Sequence, residues 1–124
     1  MPHMRQQGWG RIINVASESG IQPDPFMPHY NASKAAFISL TKSLSKAYRE
    51  EEILVNAVSP GRIDTPFHDE FTPDEKREEG AQQIPLGREG TPEEVVGAVL
   101  FLASSHANYI LGEVIEVNGG MLMD

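Results

Sequence analysis

The 124-residue chain is 40% apolar, has no cysteine, and sets ten basic residues against eighteen acidic ones for a net charge of −8. Disulfides and thiolate metal sites are thereby excluded, and the acidic balance argues against binding a phosphate backbone, which needs a basic patch. Its apolar runs are too short to span a bilayer and no signal-peptide pattern opens the chain, so one cytoplasmic domain over residues 1–124 is expected.

Residues 1–10 read as the end of a helix punctuated by Gly8 and Gly10. The run Arg11-Ile12-Ile13-Asn14-Val15-Ala16-Ser17 is β-branched with little alternation, which predicts a buried parallel strand over about 11–17. A proline-rich loop follows at the edge where open α/β sheets bind ligands. Helical spacing then runs over about 29–51, with Ala36, Phe37, Leu40, Leu44, Ala47 and Tyr48 as a wide apolar stripe. A second buried strand is expected at 53–59, stopped by Pro60-Gly61, so that strand, helix and strand make a βαβ unit. The polar stretch after Arg62 predicts a lid from Thr65 to Gly90, helical over about 66–84 and carrying Phe67, Phe71, Ile84 and Leu86. Thr91-Pro92-Glu93-Glu94 opens a helix over about 92–105 with a capping box, and a third strand is expected at 113–117.

Chemistry concentrates at Tyr30-Asn31-Ala32-Ser33-Lys34. On a helix, positions four apart share a face, so a phenol and an ammonium lie side by side. A neighbouring positive charge favours the phenolate, which suits a tyrosine to general acid or base work. The Ser17 hydroxyl, thirteen residues upstream, could hold the oxygen that gains or loses the proton, or could simply cap its loop. Ser19 is a rival hydroxyl but points to the opposite side if extended, while Ser33 reads as helix surface and His29 as a solvated residue before the helix. The His68-Asp69-Glu70 run reads as lid surface, because no second His/carboxylate pair gives metal spacing.

Several motifs stand in a fixed order: Gly-Arg-Ile-Ile-Asn-Val-Ala-Ser at 10–17, Tyr-Asn-Ala-Ser-Lys at 30–34, Val-Asn-Ala-Val-Ser-Pro-Gly at 55–61 and Asp-Thr-Pro at 64–66. Thr-Pro-Glu-Glu-Val at 91–95 and Gly-Glu-Val-Ile-Glu-Val-Asn-Gly-Gly at 112–120 complete the series. Together they resemble the C-terminal half of the compact branch of the short-chain dehydrogenase/reductase family, near its 3-oxoacyl-carrier-protein reductases and sugar or polyol dehydrogenases. The resemblance implies a partial Rossmann-like α/β fold and NAD(P)-dependent interconversion of a secondary alcohol and a carbonyl. It makes Tyr30 the general acid/base, Lys34 its partner and a ligand of the nicotinamide ribose, and Ser17 the holder of the carbonyl oxygen. Pro60, Gly61, Ile63 and Thr65 correspond to the segment that cradles the nicotinamide end. Asn14 corresponds to a structural strand asparagine, expected to pack or to hydrogen-bond rather than react.

The motif series lacks the family's nucleotide-binding half, with its Gly-rich phosphate turn and the residue that selects NAD or NADP. Two readings follow. The chain represents the catalytic half of a dehydrogenase/reductase, or it is a truncated, inactive module that persists as a dimer or domain-swapped oligomer. The resemblance places self-association on the long helix after Tyr30 and on the last helix and strand. The acidic lid disfavours an acidic carrier protein and favours a small alcohol, sugar or polyol as substrate.

Overall fold

The computed structural model describes residues 1–124, apart from the side chain of Phe71. Three parallel strands form one sheet in the order β1 (Gly10–Val15), β2 (Ile53–Pro60), β3 (Val114–Val117). A short helix, α1 (Pro2–Gln7), precedes them and ends at Gly8, whose left-handed φ of 65° closes it. Between β1 and β2 runs the long helix α2 (Pro28–Tyr48). Between β2 and β3 come α3 (Pro66–Phe71), α4 (Asp74–Gln83) and α5 (Pro92–Ala103). The expected strands, helices and lid are all present, within a few residues of their expected ends.

Burial grades across the sheet. Every residue of β2 except Pro60 is buried, whereas β1 is buried only at Gly10 and half-buried or exposed beyond it. The expectation of two buried faces therefore holds for the central strand and fails for β1. Among the described residues β1 pairs with β2 alone, so its other edge is free.

Successive strand residues point to opposite faces, which assigns the helices. Ile13 packs with Val58, Leu102, Ala107, Val95 and Ile115 on the α5 side. Its neighbour Asn14 instead donates from Nδ2 to Thr41 Oγ1 of α2 at 3.0 Å, so α2 covers the other face. This is the structural hydrogen bond expected of Asn14.

The stripe expected to seat α2 is turned outward. Phe37 and Leu40 are 39% and 44% exposed, while Asn31, Thr41 and Ser45 are the buried positions of the helix. Small side chains let the helix axis approach the sheet. The hydroxyls of Thr41 and Ser45 are satisfied by donating to the carbonyls of Phe37 (2.7 Å) and Lys42 (2.8 Å).

The capping box of α5 forms as the sequence predicts. Thr91 Oγ1 accepts from Glu94 N–H at 3.4 Å, and Glu94 Oε2 accepts from Thr91 N–H at 2.8 Å. Arg88 adds two bonds to the same carboxylate, at 2.7 and 2.9 Å. Those Arg88 bonds, then the Thr91 N–H, lower the Glu94 pKa to about 2. Of the apolar lid residues, Ile84 is core at 3% exposure, whereas Phe67 and Leu86 are exposed. The side chain of Phe71 lies outside the described part.

Candidate active site

The C-terminal edge of the sheet gathers three segments. Beyond β1, Ser17 begins a single 3-10 turn, Glu18–Gly20, and caps it by accepting from Ser19 N–H at 3.2 Å. Ser17 is buried and thus has the capping role weighed from sequence, and its hydroxyl proton is still available to donate. Asp24 shapes the rest of the loop: its Oδ1 accepts from Phe26 N–H at 2.8 Å, and its carbonyl accepts from Asn31 Nδ2 at 2.6 Å. Buried Asn31 thereby fastens the loop to α2 beside Tyr30.

Tyr30 and Lys34 occupy successive turns of α2. The Lys34 ammonium lies 5.7 Å from the Tyr30 ring centre and 5.5 Å from that of Phe37. It donates to the Val15 carbonyl at 3.1 Å, so the ammonium links the Tyr30 helix to the end of the strand that leads to Ser17. Tyr30 itself is partly exposed.

Gly20 makes this juxtaposition possible. A Cβ there would stand 2.8 Å from Ala35 N and 2.8 Å from the Lys34 carbonyl carbon, so the turn after Ser17 rests on bare helix backbone. Nothing in the local sequence announces this requirement, because the partner lies fourteen residues on. Gly20→Ala is expected to cost about 1–3 kcal/mol, as inserting a methyl into a closed contact does, and urea unfolding will read it.

The third segment follows β2. Pro60 ends the strand, and Gly61 N–H continues the ladder to the Val117 carbonyl at 2.9 Å. A Cβ on Gly61 would meet Asn118 Cβ at 2.7 Å and Glu18 Oε2 at 3.0 Å. Ile63 bridges Gly90 through two bonds made by its neighbours, Asp64 N–H to the Gly90 carbonyl (2.8 Å) and Gly90 N–H to the Arg62 carbonyl (2.9 Å). In a parallel bridge of that kind the N–H and C=O of Ile63 itself point away from Gly90. Among the described residues no hydrogen bond uses them. Thr65 caps α3 by position, yet its hydroxyl makes no capping bond. A backbone donor, a backbone acceptor and a hydroxyl thus stand ready on one short segment. A carboxamide has N–H groups to donate and an oxygen to accept, so a backbone acceptor, a backbone donor and a hydroxyl that can serve as either fit a nicotinamide.

Sequence reading missed two acidic residues under this edge. Glu18 Oε2, Glu116 Oε1 and Ser59 Oγ are buried without a hydrogen-bond partner. Burial raises the Glu18 pKa above the usual 4.5, and the charge of Arg62 partly offsets it. Burial likewise raises Glu116; the nearby Ser59 hydroxyl, short of hydrogen-bond geometry, works against this, and the charges of Asp124 and Glu18 add to it. A carboxyl whose folded pKa is raised stabilises the fold fully below pH 4.5 and loses that contribution as pH climbs through the folded value. Glu18→Gln and Glu116→Gln are therefore expected to raise the unfolding midpoint at neutral pH, with the gain fading toward pH 4.5 in a thermal series.

The parallel α/β sheet thus brings a serine, a tyrosine–lysine pair and a segment with free backbone groups to the carboxyl ends of its strands, the edge where open α/β sheets bind ligands. Comparison with known proteins makes the class specific. The family described as enoyl-(acyl carrier protein) reductase matches residues 1–122. A 3-oxoacyl-(acyl-carrier-protein) reductase of Rickettsia typhi is 50% identical over 120 residues, 97% of this chain and 49% of the relative. The corresponding reductase of Aquifex aeolicus is 48% identical over 118 residues, covering 95% and 47%. A 4-formylbenzenesulfonate dehydrogenase of Comamonas testosteroni is 41% identical over 124 residues, covering 97% and 49%. The chain belongs to the short-chain dehydrogenase/reductase family. It spans about half the length of the curated relatives it matches. No described helix is long and apolar enough to cross a membrane.

Proposed function

We propose that these residues perform the proton-handling half of an NAD(P)-dependent interconversion of a secondary alcohol and a carbonyl. The observation that carries the reading is Lys34, whose ammonium lies against Tyr30 and the Val15 carbonyl at the edge shared by Ser17 and the Pro60-to-Thr65 segment. In the reducing direction Tyr30 gives its hydroxyl proton to the substrate oxygen, and in the oxidising direction it takes the proton back. The Lys34 ammonium stabilises the negative charge left on Tyr30, and Ser17 donates to the substrate oxygen. Gly61, Ile63 and Thr65 hold the ring end of the cofactor, with Pro60 setting the direction of the segment and Lys34 reaching the ribose. A bound nicotinamide supplies or accepts the hydride.

The relatives named above support a 3-oxoacyl thioester and an aromatic aldehyde as the first substrates to assay, and the acidic lid adds a sugar or polyol. The test follows reduced-nicotinamide absorbance with NADH and NADPH; substrate-dependent oxidation supports the reading, and none with any substrate counts against turnover by this chain.

A second reading is favoured by the free edge of β1: the 124 residues by themselves do not turn over, and persist as a homodimer or a swapped oligomer. The outward Phe37 and Leu40 of α2, with Val96 and Leu100 of α5, offer the apolar surface for it. Light scattering combined with cofactor titration decides between the two. An oligomer without tight saturable binding supports this second reading, and tight binding by a monomer contradicts it. The cytoplasm, where reduced nicotinamides are made, is the compartment this function implies.

A further inference from the structure

The helix α4 of the lid offers little apolar surface of its own to hold it down. The ten residues of α4 include Asp74, Glu75, Glu78 and Glu79 against Lys76 and Arg77, and Gly80 is its one buried position. What fastens it is Arg77. Its side chain is 18% exposed and meets three carboxylates contributed by three different segments. Nη1 donates to Asp69 of α3 at 2.6 Å. Nη2 donates to Asp64 at 2.7 Å and to Glu89 at 2.6 Å, with Nε 3.4 Å from the second Glu89 oxygen. Glu89 is itself 12% exposed, which makes this the most enclosed ion pair of those in the structure.

The position of these acids matters more than their number. Asp64 and Glu89 flank the Ile63–Gly90 bridge, whose two backbone bonds fix the segment bearing Ile63 and Thr65. The guanidinium of Arg62 adds a tie from the same segment, since it lies over bare Gly80, where a Cβ would overlap it. Without Arg77, three carboxylates drawn to one point would repel one another, and the segments they belong to would separate. The single charge is thus a clamp whose removal converts attraction into repulsion. Elsewhere, Arg88–Glu94, Arg5–Glu51 and Arg49–Glu50 each join one cation to one carboxylate, and their arginines are more exposed than Arg77.

We propose that Arg77 is a positioning residue: it fixes residues 62–65, and through them the Ile63 backbone and the Thr65 hydroxyl, in the arrangement that receives the nicotinamide end. It touches no reacting group and acts through that segment. The proposal rests on the cradle reading given under Proposed function.

Two measurements on the same chain separate them. In amide exchange, Arg77→Met is expected to speed exchange at Asp64 and Gly90 by at least about tenfold while Val55 and Ala57 of β2 keep their rates. In titration with nicotinamide mononucleotide, followed by amide shifts at Ile63 and Thr65, the same variant weakens binding about tenfold, and Arg77→Lys recovers part of the loss. Arg49→Met, which removes an exposed ion pair far from this segment, is the control and changes neither. If Arg77→Met does not fold, Glu89→Gln carries the test with the same direction and a smaller effect. Unchanged exchange at Asp64 and Gly90, or loss there only in step with Val55 and Ala57, overturns the proposal. If the unsubstituted chain shows no shifts with nicotinamide mononucleotide while exchange behaves as expected, the cradle reading falls and Arg77 still stands as fixing the segment.

Discussion

Tyr30→Phe is expected to slow reduced-nicotinamide oxidation by about 10²–10⁴-fold, the usual worth of a positioned general acid. The substitution removes one oxygen and leaves the ring, so the helix, the loop pinned by Asn31 and the contact of Lys34 with the Val15 carbonyl all persist. Ligand affinity should change only a few-fold, which places the loss in kcat rather than KM. Lys34→Met is expected to lower the rate as well, and also to loosen α2 from the end of β1, because its ammonium serves both. Steady-state kinetics of the two variants beside the parent will check the split. A Tyr30→Phe variant with an unchanged kcat would remove Tyr30 from the chemistry.

Leu102→Ala is expected to produce the largest loss of stability, about 2–5 kcal/mol, as for other fully buried leucines. Leu102 has no exposed surface and sits with Val58 and Ala107 at the centre of the α5-side core. A domain of this size commonly holds only about 5–15 kcal/mol in total, so the variant should unfold at a much lower urea midpoint. The comparison with Leu100→Ala is informative, because Leu100, on the same helix, is largely exposed and should cost far less in the same chain. A large effect at Leu100 would instead mean that this face is buried against another copy.

The elements legible in the sequence were those whose determinants are local. The β-branched runs of β1 and β2 and the stop at Pro60-Gly61 need no distant partner to be read. The same is true of the Thr91–Glu94 capping box, which specifies its own hydrogen bonds. The motif order carried the family as well. Illegible features depend on what comes to meet a residue. The stripe of Phe37 and Leu40 has the right period for a core face, yet the sheet selects the face carrying Thr41 and Ser45, which allows a closer approach. Gly20 looks like any loop glycine until Lys34 and Ala35 arrive above it. Arg77 reads as one charge among many in a polar helix, and its three partners lie eight to thirteen residues away in other segments. Glu18 and Glu116 are ninety-eight positions apart and meet only across the sheet edge.

The proposed site is an edge built from Ser17, Tyr30, Lys34 and the segment from Pro60 to Thr65, which would handle a proton and a nicotinamide ring. Among these 124 residues no Gly-rich strand-to-helix turn offers a pyrophosphate seat. Titration of the chain with nicotinamide mononucleotide and then with NAD, read residue by residue through amide shifts, tests this most directly. Weak saturable binding of the mononucleotide is expected, with shifts at Tyr30, Lys34, Ile63 and Thr65, and less than about tenfold tighter binding of the dinucleotide. Shifts confined to other surfaces, or no binding of the mononucleotide at all, would contradict it.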